Sequence, residues 1–415
     1  MLELFMKSTM PADTIERELA RGESLSIINI VDYLIEEACK RRVSDIHIDP
    51  TRNTVRVRMR IDGVLHDACT LPNTISSEII ARIKVLAHLR TDEHQMPQDG
   101  RFRYQLSNND EDALDVRVSI APTYHGENAV LRLLSNSMQE FTLQSLGFCT
   151  TDIQRIASAM RKQGGMMLVT GPTGSGKTTT LYTLMRMLNS SDVSIVSIED
   201  PIEYSVDGVE QLQVNPRVGL NFANGLRTIL RQDPNIIMVG EIRDIETAAI
   251  SINSALTGHL LLSTLHTNDA ATTIPRLLDM KAESYLVAST LRLSIGQRLV
   301  RKLCESCKQK DSISRDEWKY IARGEIKKII DRRCPVYRKK GCDQCDGSGF
   351  SGRICVAECL LVDNDIRGAI MRRASARELH DIAILNGMTS MRQDGLRKVA
   401  DGVTTLEEVL RVVHE

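Results

Sequence analysis

Aromatic side chains are scarce in this chain of 415 residues, which holds six Phe, eight Tyr and one Trp. The chain also lacks a net basic charge, since its formal net charge at pH 7 is −1. Proteins that track single-stranded nucleic acid use a positively charged groove lined with stacking aromatic rings. Both shortages therefore argue against a nucleic-acid-binding protein.

Long apolar runs are missing as well. No stretch approaches the roughly 20 apolar residues of a membrane-spanning helix, and the chain opens with no signal-peptide pattern. Ten cysteines without a secretion signal indicate a reducing compartment, where thiols serve metal binding or packing rather than disulfides. We therefore expect a cytoplasmic protein of about two or three domains that reaches a membrane only through partners.

A glycine-rich segment matches the pattern G-x-x-x-x-G-K-[ST] at every fixed position. It follows a short apolar run at 166–169 and precedes apolar residues at helical spacing. In such a loop the backbone N–H groups cradle phosphates, the lysine reaches the β- and γ-phosphates, and the last hydroxyl binds Mg²⁺. A glycine-rich turn that matches by chance is the alternative, and the strand–loop–helix order argues against it. The predicted nucleotide-binding residues are Gly171, Pro172, Thr173, Gly174, Ser175, Gly176, Lys177, Thr178 and Thr179, with Thr178 as the magnesium ligand.

Three further apolar runs, at 194–198, 236–239 and 260–263, have the length of buried parallel strands. They are followed by Glu203, Glu241 and His266, respectively. Ligands bind at the carboxyl edge of an open α/β sheet, so we expect these side chains to converge on the phosphates. A carboxylate there accepts a proton from attacking water or holds Mg²⁺ through water. A helix N-cap or a solvated loop is the alternative for any one of them.

The strand that ends at Val239 departs from the usual P-loop pattern. Most P-loop enzymes place there an Asp that helps to hold Mg²⁺, whereas this chain has Gly240 followed by Glu241. Direct ligation of Mg²⁺ therefore rests on Thr178. Since no N-K-x-D guanine signature occurs, we expect ATP rather than GTP.

The residues before the loop predict an α+β domain. We expect helices at 25–39 and 75–89, strands at 44–48, 54–65, 114–120 and 129–134, and a turn at 98–100. Arg56, Arg58 and Arg60 alternate with apolar residues in the second strand, which is typical of the wet face of a half-buried sheet. The predicted organisation is a tail or short lead-in helix at 1–23, an α+β domain at 24–135 and a linker at 136–141.

Two C-x-x-C knuckles contain Cys304, Cys307, Cys342 and Cys345. This pairing suits a closed tetrahedral Zn²⁺ site, which is structural because it leaves no open coordination position. A redox pair is the rival interpretation, but a thioredoxin-like site needs one C-x-x-C that opens a helix. Cys334 is an alternative ligand. We interpret the remaining cysteines as packing residues: Cys39, Cys69, Cys149, Cys355 and Cys359.

The predicted second half consists of an ATPase core at 142–298, a tetracysteine zinc segment at 299–350 and a mostly helical region at 351–415. A T-x-x-E capping box, Thr404 to Glu407, is expected to open the last helix.

Several motifs together carry a family resemblance. The segments that carry it are Ser44-Asp-Ile-His-Ile, Pro97-Gln-Asp-Gly-Arg101, the acidic segment Ser197 to Glu203, the segment Arg231 to Asp244, and the segment Thr257 to His266. They resemble the secretion ATPases that power type II secretion and type IV pilus assembly. The resemblance implies a RecA-like P-loop core behind a PAS-like N-terminal domain, and a homo-hexameric ring with nucleotide between subunits. It also implies a polytopic inner-membrane platform protein as partner.

The resemblance extends to catalytic residues. It implies that Glu203 and Glu241 serve catalysis, and which of them is the base stays open. It also implies that Arg101 and Arg117, with Arg132 as a weaker candidate, reach the phosphates from the N-terminal domain. Arg227 and Arg231, spaced i and i+4, are candidates for the same role across a subunit joint, with a solvated helix face as the alternative.

Three classes of function follow from these motifs. The first is an ATP-driven motor for pilus assembly or protein export, the second a nucleic-acid translocase on the same core, and the third a non-catalytic scaffold. The complete set of motif residues favours the first, and the cysteine knuckles resemble those of the assembly and export branch rather than the retraction branch. Only 43 residues precede Ser44, too few for the extra N-terminal domain of many relatives. Either the sequence is a truncated form of such a relative, or it is a short form, which is expected to bind its partner through the α+β domain or the zinc segment.

Overall fold

A computed structural model of the chain describes residues 12–21, 25–106, 113–135, 141–162, 164–314, 318 and 335–413. The chain divides into two compact units, residues 1–139 and 140–415, and this division falls within the predicted linker. Among the described residues, no helix has both the length and the apolar character needed to cross a bilayer.

The first unit is built on a six-stranded antiparallel sheet in the order β3-β2-β1-β6-β5-β4. Alternate side chains of β2, among them Val55 and Met59, are buried in one apolar core with residues of the three helices. The elements are α1 Ala12–Leu19, α2 Ile27–Lys40, β1 Asp45–Pro50, β2 Thr54–Ile61, β3 Val64–Pro72, a 3₁₀ turn Asn73–Ile75, α3 Ser76–Leu86, β4 Gln98–Gln105, β5 Ala113–Thr123 and β6 Gly126–Ser135.

The arginine row of β2 lies on the wet face of this sheet, as predicted. Each arginine forms an ion pair with a carboxylate of a neighbouring strand: Arg56 with Asp67, Arg58 with Asp49, and Arg60 with Asp45. Within the range 1–23, residues Ala12–Leu19 form α1, and Ile15 of this helix is buried in the core of the unit.

Two local predictions in this unit are wrong. Residues 98–100 do not form a turn but begin β4, where Gly100 pairs with Val118 of β5. The glycine serves a close approach instead, since a Cβ there would lie 2.7 Å from the carbonyl oxygen of Ala87. In α2, the apolar spacing predicts a buried face of Ile28, Val31, Leu34, Ile35 and Ala38. Ile28 is instead half exposed, and Ile30 is buried with the other four.

The second unit contains a seven-stranded sheet in the order β15-β12-β7-β11-β10-β8-β9. All neighbouring strands are parallel except β15, which pairs antiparallel with β12. The strands are β7 Gly165–Thr170, β8 Ile195–Glu199, β9 Glu210–Gln213, β10 Ile236–Val239, β11 Leu260–Leu265, β12 Leu291–Leu303 and β15 Phe350–Leu361, and a separate ribbon pairs β13 Gln309–Ser312 with β14 Pro335–Arg338. The predicted α/β class is confirmed.

Helices cover both faces of this sheet. In β7, Met166 and Leu168 belong to one core while Met167 and Val169 belong to another, because successive side chains of a strand point to opposite faces. The helices are α4 Leu143–Leu146, α5 Thr150–Met160, α6 Lys177–Leu188, α7 Phe222–Ile229, α8 Ile245–Leu256, α9 Thr273–Asp279, α10 Ser284–Thr290, α11 Asn364–Met371, α12 Ala376–Leu385, α13 Met391–Ala400 and α14 Leu406–Val412, with 3₁₀ turns at Pro216–Val218 and Asp343–Cys345.

The C-terminal part of the chain differs from the prediction in two respects. Strand β12 runs through the expected boundary at 298, and residues 350–361 form its partner strand β15 rather than helix. The last helix is capped by Thr405, whose hydroxyl accepts from Glu408 N, whereas Thr404 donates to Arg301 O at 2.8 Å. The predicted capping residue is therefore displaced by one position, since the Thr404 hydroxyl is engaged by β12.

Candidate active site

The glycine-rich loop connects β7 to α6, the order that the motif predicts. Gly171, Gly174 and Gly176 all have positive φ, at 147°, 77° and 87°. This region of backbone conformation is open to glycine and costly for most other residues. The fixed glycines of the motif thus permit the bend that aims the loop's backbone toward a ligand.

Lys177 and Thr178 open α6 at the end of this loop. The Lys177 ammonium donates to the carbonyl oxygens of Gly171 at 2.9 Å and Pro172 at 3.0 Å. Burial lowers the pKa of Lys177, and the negative charge of Glu241 acts against that shift. Thr178 is exposed, as are residues 172–174. The segment therefore combines the ammonium of Lys177, the hydroxyl of Thr178 and the exposed backbone of residues 172–174. This combination fits a triphosphate with Mg²⁺.

Glu241 and His266 meet at the carboxyl edge of the parallel sheet. Glu241 lies two residues beyond β10 and His266 directly follows β11, and His266 Nε2 is 3.2 Å from Glu241 Oε2. The Glu241 side chain is 11% exposed, whereas that of His266 is 51% exposed. The structure thus brings together two of the predicted site residues, and the effect of Glu241 on the Lys177 pKa connects them to the loop.

Arg243 is a member of this cluster that the sequence analysis missed. Its guanidinium lies 2.5 Å from Glu241 Oε1, so Glu241 has a cationic partner on one oxygen and the imidazole on the other. The Glu241 carboxylate raises the pKa of Arg243. The signal available in the sequence was its position two residues after Glu241, on the same loop.

The end of β7 is tied to the loop that carries His266. The backbone N–H of Thr267 donates to Thr170 Oγ1 at 3.0 Å, and that oxygen lies 3.0 Å from the carbonyl of Leu265. Thr170 is fully buried. These bonds link the segment that enters the phosphate-binding loop to the segment that presents His266.

The acidic segment after β8 holds two glutamates in different surroundings. Glu199 is buried and accepts hydrogen bonds from Ser197 Oγ at 2.6 Å, Gln211 Nε2 at 3.0 Å and the hydroxyl of Tyr182. Burial raises the pKa of Tyr182, and the Glu199 carboxylate raises it further, so the phenol remains a donor. Glu203 is partly exposed, and its backbone N–H donates to the Tyr182 hydroxyl at 3.3 Å. Glu199 is therefore engaged in structure, and Glu203 is the more accessible carboxylate.

Arg227 and Arg231 lie at the C-terminal end of α7. Arg227 is within 2.5 Å of Glu246, and Arg231 donates to the carbonyl of Arg227 at 3.0 Å and to Thr228 Oγ1 at 3.3 Å. Both side chains are bound to groups on α7 or α8 of their own unit. Their contact with phosphate across a subunit joint stays a prediction.

The three arginines of the first unit form a row across its sheet. Arg101 on β4 pairs in register with Arg117 on β5, which pairs with Arg132 on β6. Arg132 Nε donates to Asp45 Oδ1 at 3.0 Å. The three positions share one face, because directly paired residues point to the same side of a sheet. Their predicted contact with phosphate is not tested by this placement.

The four cysteines of the knuckles form one cluster, with all four sulfurs within 4.8 Å of one another. The Sγ–Sγ distance is 3.8 Å for Cys304–Cys342 and for Cys307–Cys345, and 3.6 Å for Cys342–Cys345. Four sulfurs bound to one Zn²⁺ at about 2.3 Å lie about 3.8 Å apart in a tetrahedron. The spacing therefore fits a zinc ion.

Hydrogen bonds around the cluster favour thiolate. The N–H groups of Cys342 and Gly349 both donate to Cys345 Sγ at 3.2 Å. Burial raises the pKa of Cys345, but these donors lower it, to about 7 overall. Lys308, which directly follows the first knuckle, is held by Glu305 at 2.6 Å and lies over the Tyr337 ring. The alternative ligand Cys334 lies outside the described residues.

The cysteines outside the knuckles are packed as predicted. Cys355 and Cys359 are buried in the core of the second unit, and burial raises the pKa of Cys355 to about 12. Cys39 and Cys69 pack against the core of the first unit. Cys149 donates to Asp152 Oδ2 at 3.1 Å.

The chain is similar to known proteins over most of its length. A family model for Type II/IV secretion system proteins matches residues 21–411. The chain is 44% identical over 404 residues to the Type II secretion system protein E of Xanthomonas campestris pv. campestris, covering 97% of this chain and 70% of that protein. It is 43% identical over 398 residues to the Type IV pilus assembly ATPase PilB of Myxococcus xanthus, covering 96% and 70%.

The fold is also found among solved structures. The Legionella pneumophila ATPase DotB superposes with a TM-score of 0.67 over 92% of this chain and 95% of that chain, at 23% identity. At that identity the likeness bears on the fold alone. The resemblance drawn from the motifs is confirmed by the sequence relatives and the family model. The family model matches nearly the whole chain, and these relatives are more than 40% identical to it. The chain therefore belongs to the Type II/IV secretion system protein family and is one of its ATPases.

Proposed function

We propose that the chain is a subunit of a hexameric motor that hydrolyses ATP to drive pilus assembly or type II protein export. The observation that supports this most directly is the group around the glycine-rich loop. Glu241 and His266 follow the ends of β10 and β11, and Lys177 opens the helix after the loop that follows β7, so each contributes a charge or a hydrogen-bonding group at one edge of the sheet. Such a group suits phosphoryl transfer, in which the protein supplies mainly position and charge.

The proposed division of roles follows from the charges. The Lys177 ammonium neutralises the β- and γ-phosphates, and the Thr178 hydroxyl is the protein ligand for Mg²⁺. Bound Mg²⁺ supplies charge neutralisation between the phosphates. Glu241 is held between His266 and Arg243, which orients its carboxylate for attacking water.

Glu203 is the second candidate for the base. It is more accessible than Glu199 of the same acidic segment, and it is anchored through its backbone to Tyr182. A base must come within hydrogen-bond reach of the attacking water when substrate is bound. We assign catalysis to both Glu203 and Glu241, and the variants Glu203→Gln and Glu241→Gln distinguish which of them is the base.

The arginines suggest why the motor is a ring. Arg101, Arg117 and Arg132 lie on the first unit, and the second unit carries Arg227 on α7 and Arg231 just after it. Guanidinium groups brought in by closure or by a neighbouring subunit stabilise charge that develops on the transferred phosphoryl group. A site completed in this way hydrolyses ATP only in the assembled hexamer.

The cysteine cluster is proposed to hold one structural Zn²⁺ through Cys304, Cys307, Cys342 and Cys345. It lies between β12 and β15 in the sequence, so the metal closes the connection between two strands of the ATPase sheet. Four sulfur ligands leave no position for a reactive water.

The partner is proposed to be a polytopic inner-membrane platform protein of a secretion or pilus machine, which recruits the cytoplasmic motor to the membrane. Names of the relatives support this, since one is a secretion protein and one a pilus assembly ATPase. A pull-down from detergent-solubilised inner membrane should retain one integral membrane protein with the chain. Retention of soluble proteins alone would contradict the proposed partner.

Phosphate release by the purified protein tests the proposed activity. We expect Mg²⁺-dependent ATP hydrolysis that single-stranded DNA does not stimulate. Stimulation of several-fold by DNA would favour a translocase, and an absence of hydrolysis at concentrations where a ring has formed would favour a scaffold.

A further inference from the structure

Gln297 is a buried amide beside the glycine-rich loop. It lies on β12, whose register with β7 ends at the pair Gly296 and Thr170. Gln297 is therefore the first residue of β12 that lies beyond the end of β7, where the loop begins. The residue is only 1% exposed, so its side-chain amide must form its hydrogen bonds within the protein.

Both ends of that amide contact the loop or its helix. Gln297 Nε2 donates to the carbonyl oxygen of Ser175 at 2.7 Å. Thr180 Oγ1, in the first turn of α6, donates to Gln297 Oε1 at 2.9 Å. One side chain thus links the last part of the loop to the helix that follows it.

The bond to Ser175 sets the direction of the next N–H group. In a trans peptide, the C=O of one residue and the N–H of the next point in opposite directions. Because the Ser175 carbonyl is held against Gln297, the N–H of Gly176 points away from β12. That is the orientation a phosphate-binding loop needs, since its N–H groups must face the ligand.

The glycines of the motif pack closely around Gln297. A Cβ at Gly171 would lie 2.3 Å from the Gln297 carbonyl oxygen, and a Cβ at Gly176 would lie 3.1 Å from Gln297 Nε2. The loop therefore rests directly on this residue of β12. Gly171 faces the backbone carbonyl of Gln297, and Gly176 faces its side-chain amide.

We propose that Gln297 is a positioning residue for ATP binding: its amide holds the Ser175–Gly176 peptide so that the Gly176 N–H faces the β- and γ-phosphates. The residue acts through the loop and does not touch the nucleotide. The inference rests on the proposed role of the loop in ATP binding, which the Lys177→Ala variant tests separately.

The test compares three variants in ATP binding and steady-state hydrolysis. Gln297→Met keeps the length of the side chain and removes its polar atoms. Thr180→Val keeps the shape and removes only the hydroxyl that orients the amide. Thr183→Val is the matched control, because Thr183 is a buried threonine of the same helix whose hydroxyl donates to the Thr179 carbonyl at 2.8 Å rather than to the Gln297 amide.

The expected result is a weakened affinity for ATP with the zinc content and melting temperature of the free protein retained. For Gln297→Met we expect the Kd of a slowly hydrolysed ATP analogue and the KM for ATP to rise roughly tenfold, the effect of one lost, well-aligned bond. Thr180→Val should raise both about threefold, and Thr183→Val should leave both within about twofold of wild type.

Two results would overturn the proposal. One is a stable Gln297→Met protein whose Kd and KM match those of wild type. If Gln297→Met fails to fold, as judged by circular dichroism, Thr180→Val decides, and an unchanged KM in that variant contradicts the positioning role. A failure of Lys177→Ala to impair hydrolysis would instead contradict the role of the loop itself.

Discussion

Glu241 and His266 are separated by 25 positions in the chain, yet His266 Nε2 lies 3.2 Å from Glu241 Oε2. Parallel pairing of β10 with β11 brings the ends of both strands to one edge of the sheet. The second Glu241 oxygen is within 2.5 Å of Arg243. Because both of its oxygens are held, the Glu241 carboxylate is oriented before substrate binds. Its negative charge also acts on Lys177 of the phosphate-binding loop.

Glu241→Gln tests this arrangement. The change keeps the shape but removes the negative charge, so we expect kcat to fall at least about 100-fold while ATP still binds. The rate of phosphate release measures kcat, and the binding of a fluorescent ATP analogue measures the affinity for nucleotide. Glu210→Gln is the matched control, since Glu210 is an exposed carboxylate on the edge strand of the same sheet.

Glu203→Gln, measured in parallel, assigns the base. A larger loss of kcat in Glu203→Gln than in Glu241→Gln would give that role to Glu203. Retention of more than half of the wild-type kcat in Glu241→Gln would contradict a catalytic function for Glu241.

The zinc site is tested by metal content. We expect one zinc per chain in the purified protein, and the double change Cys304→Ser with Cys342→Ser should abolish it and lower the melting temperature, because metal binding at such a site contributes folding energy. Cys39→Ser, which alters a cysteine in the first unit, should keep its zinc. A metal-free wild-type protein, or a double variant as stable as wild type, would contradict the site.

Acid stability depends on Glu408 of α14. Burial raises the pKa of Glu408, but hydrogen bonds from Arg301 and Arg411 lower it, to about 2 overall. The folded-state pKa lies below the value of about 4.3 in an unfolded chain, so the carboxylate stabilises the fold above about pH 4.3. This contribution is lost as the pH falls toward about 2.

Glu408→Gln should therefore destabilise the protein at pH 7 by roughly 3 kcal/mol, because it leaves the guanidinium of the poorly exposed Arg301 without its carboxylate. The difference in the free energy of unfolding between Glu408→Gln and wild type should become smaller below about pH 4. Glu407→Gln is the control, since the Glu407 side chain is 63% exposed in its pair with Arg338 and should cost less than about 1 kcal/mol. Denaturant titrations across this pH range measure the differences, and a pH-independent gap would refute the assignment.

Much of this fold follows from local sequence patterns. Strands β7, β8, β10 and β11 were predictable because short apolar runs end in polar residues, and the loop at 171–179 was predictable from its glycines. Their shared sheet edge follows from parallel topology alone. Glu241 and His266 could be brought together on that basis before any distance was known.

The missed features depend on contacts that are distant in sequence. Residues 98–100 have turn chemistry, but pairing with β5 makes them strand. Strand β15 falls in a region that was predicted to be helical. It pairs with β12, which ends about 50 residues earlier in the chain. Gln297 is an ordinary polar residue in the sequence, and only its burial between Ser175 and Thr180 identifies it. Arg243 was overlooked because its partner is set by a loop conformation rather than by a pattern.

Assembly is tested by dilution. Because arginines that complete the site are spread over two units, we expect turnover per subunit to rise with protein concentration as rings form. Light scattering measured at each concentration should show the hexamer appearing with the activity. Constant specific activity from a protein that remains monomeric throughout would contradict the ring.

The central claim is that ATP is hydrolysed at the loop that carries Lys177, and the rate of phosphate release by Lys177→Ala tests it most directly. The change removes the cation expected at the β- and γ-phosphates and its hydrogen bonds to the carbonyls of Gly171 and Pro172. Because these residues are not part of the apolar cores of the unit, the fold and the zinc content should match wild type. Lys281→Ala, which removes an exposed lysine of the same unit, should hydrolyse ATP at the wild-type rate. We predict that Lys177→Ala retains less than about a tenth of that rate, a barrier increase of at least roughly 1.4 kcal/mol, and a folded Lys177→Ala protein with a higher rate would contradict the account.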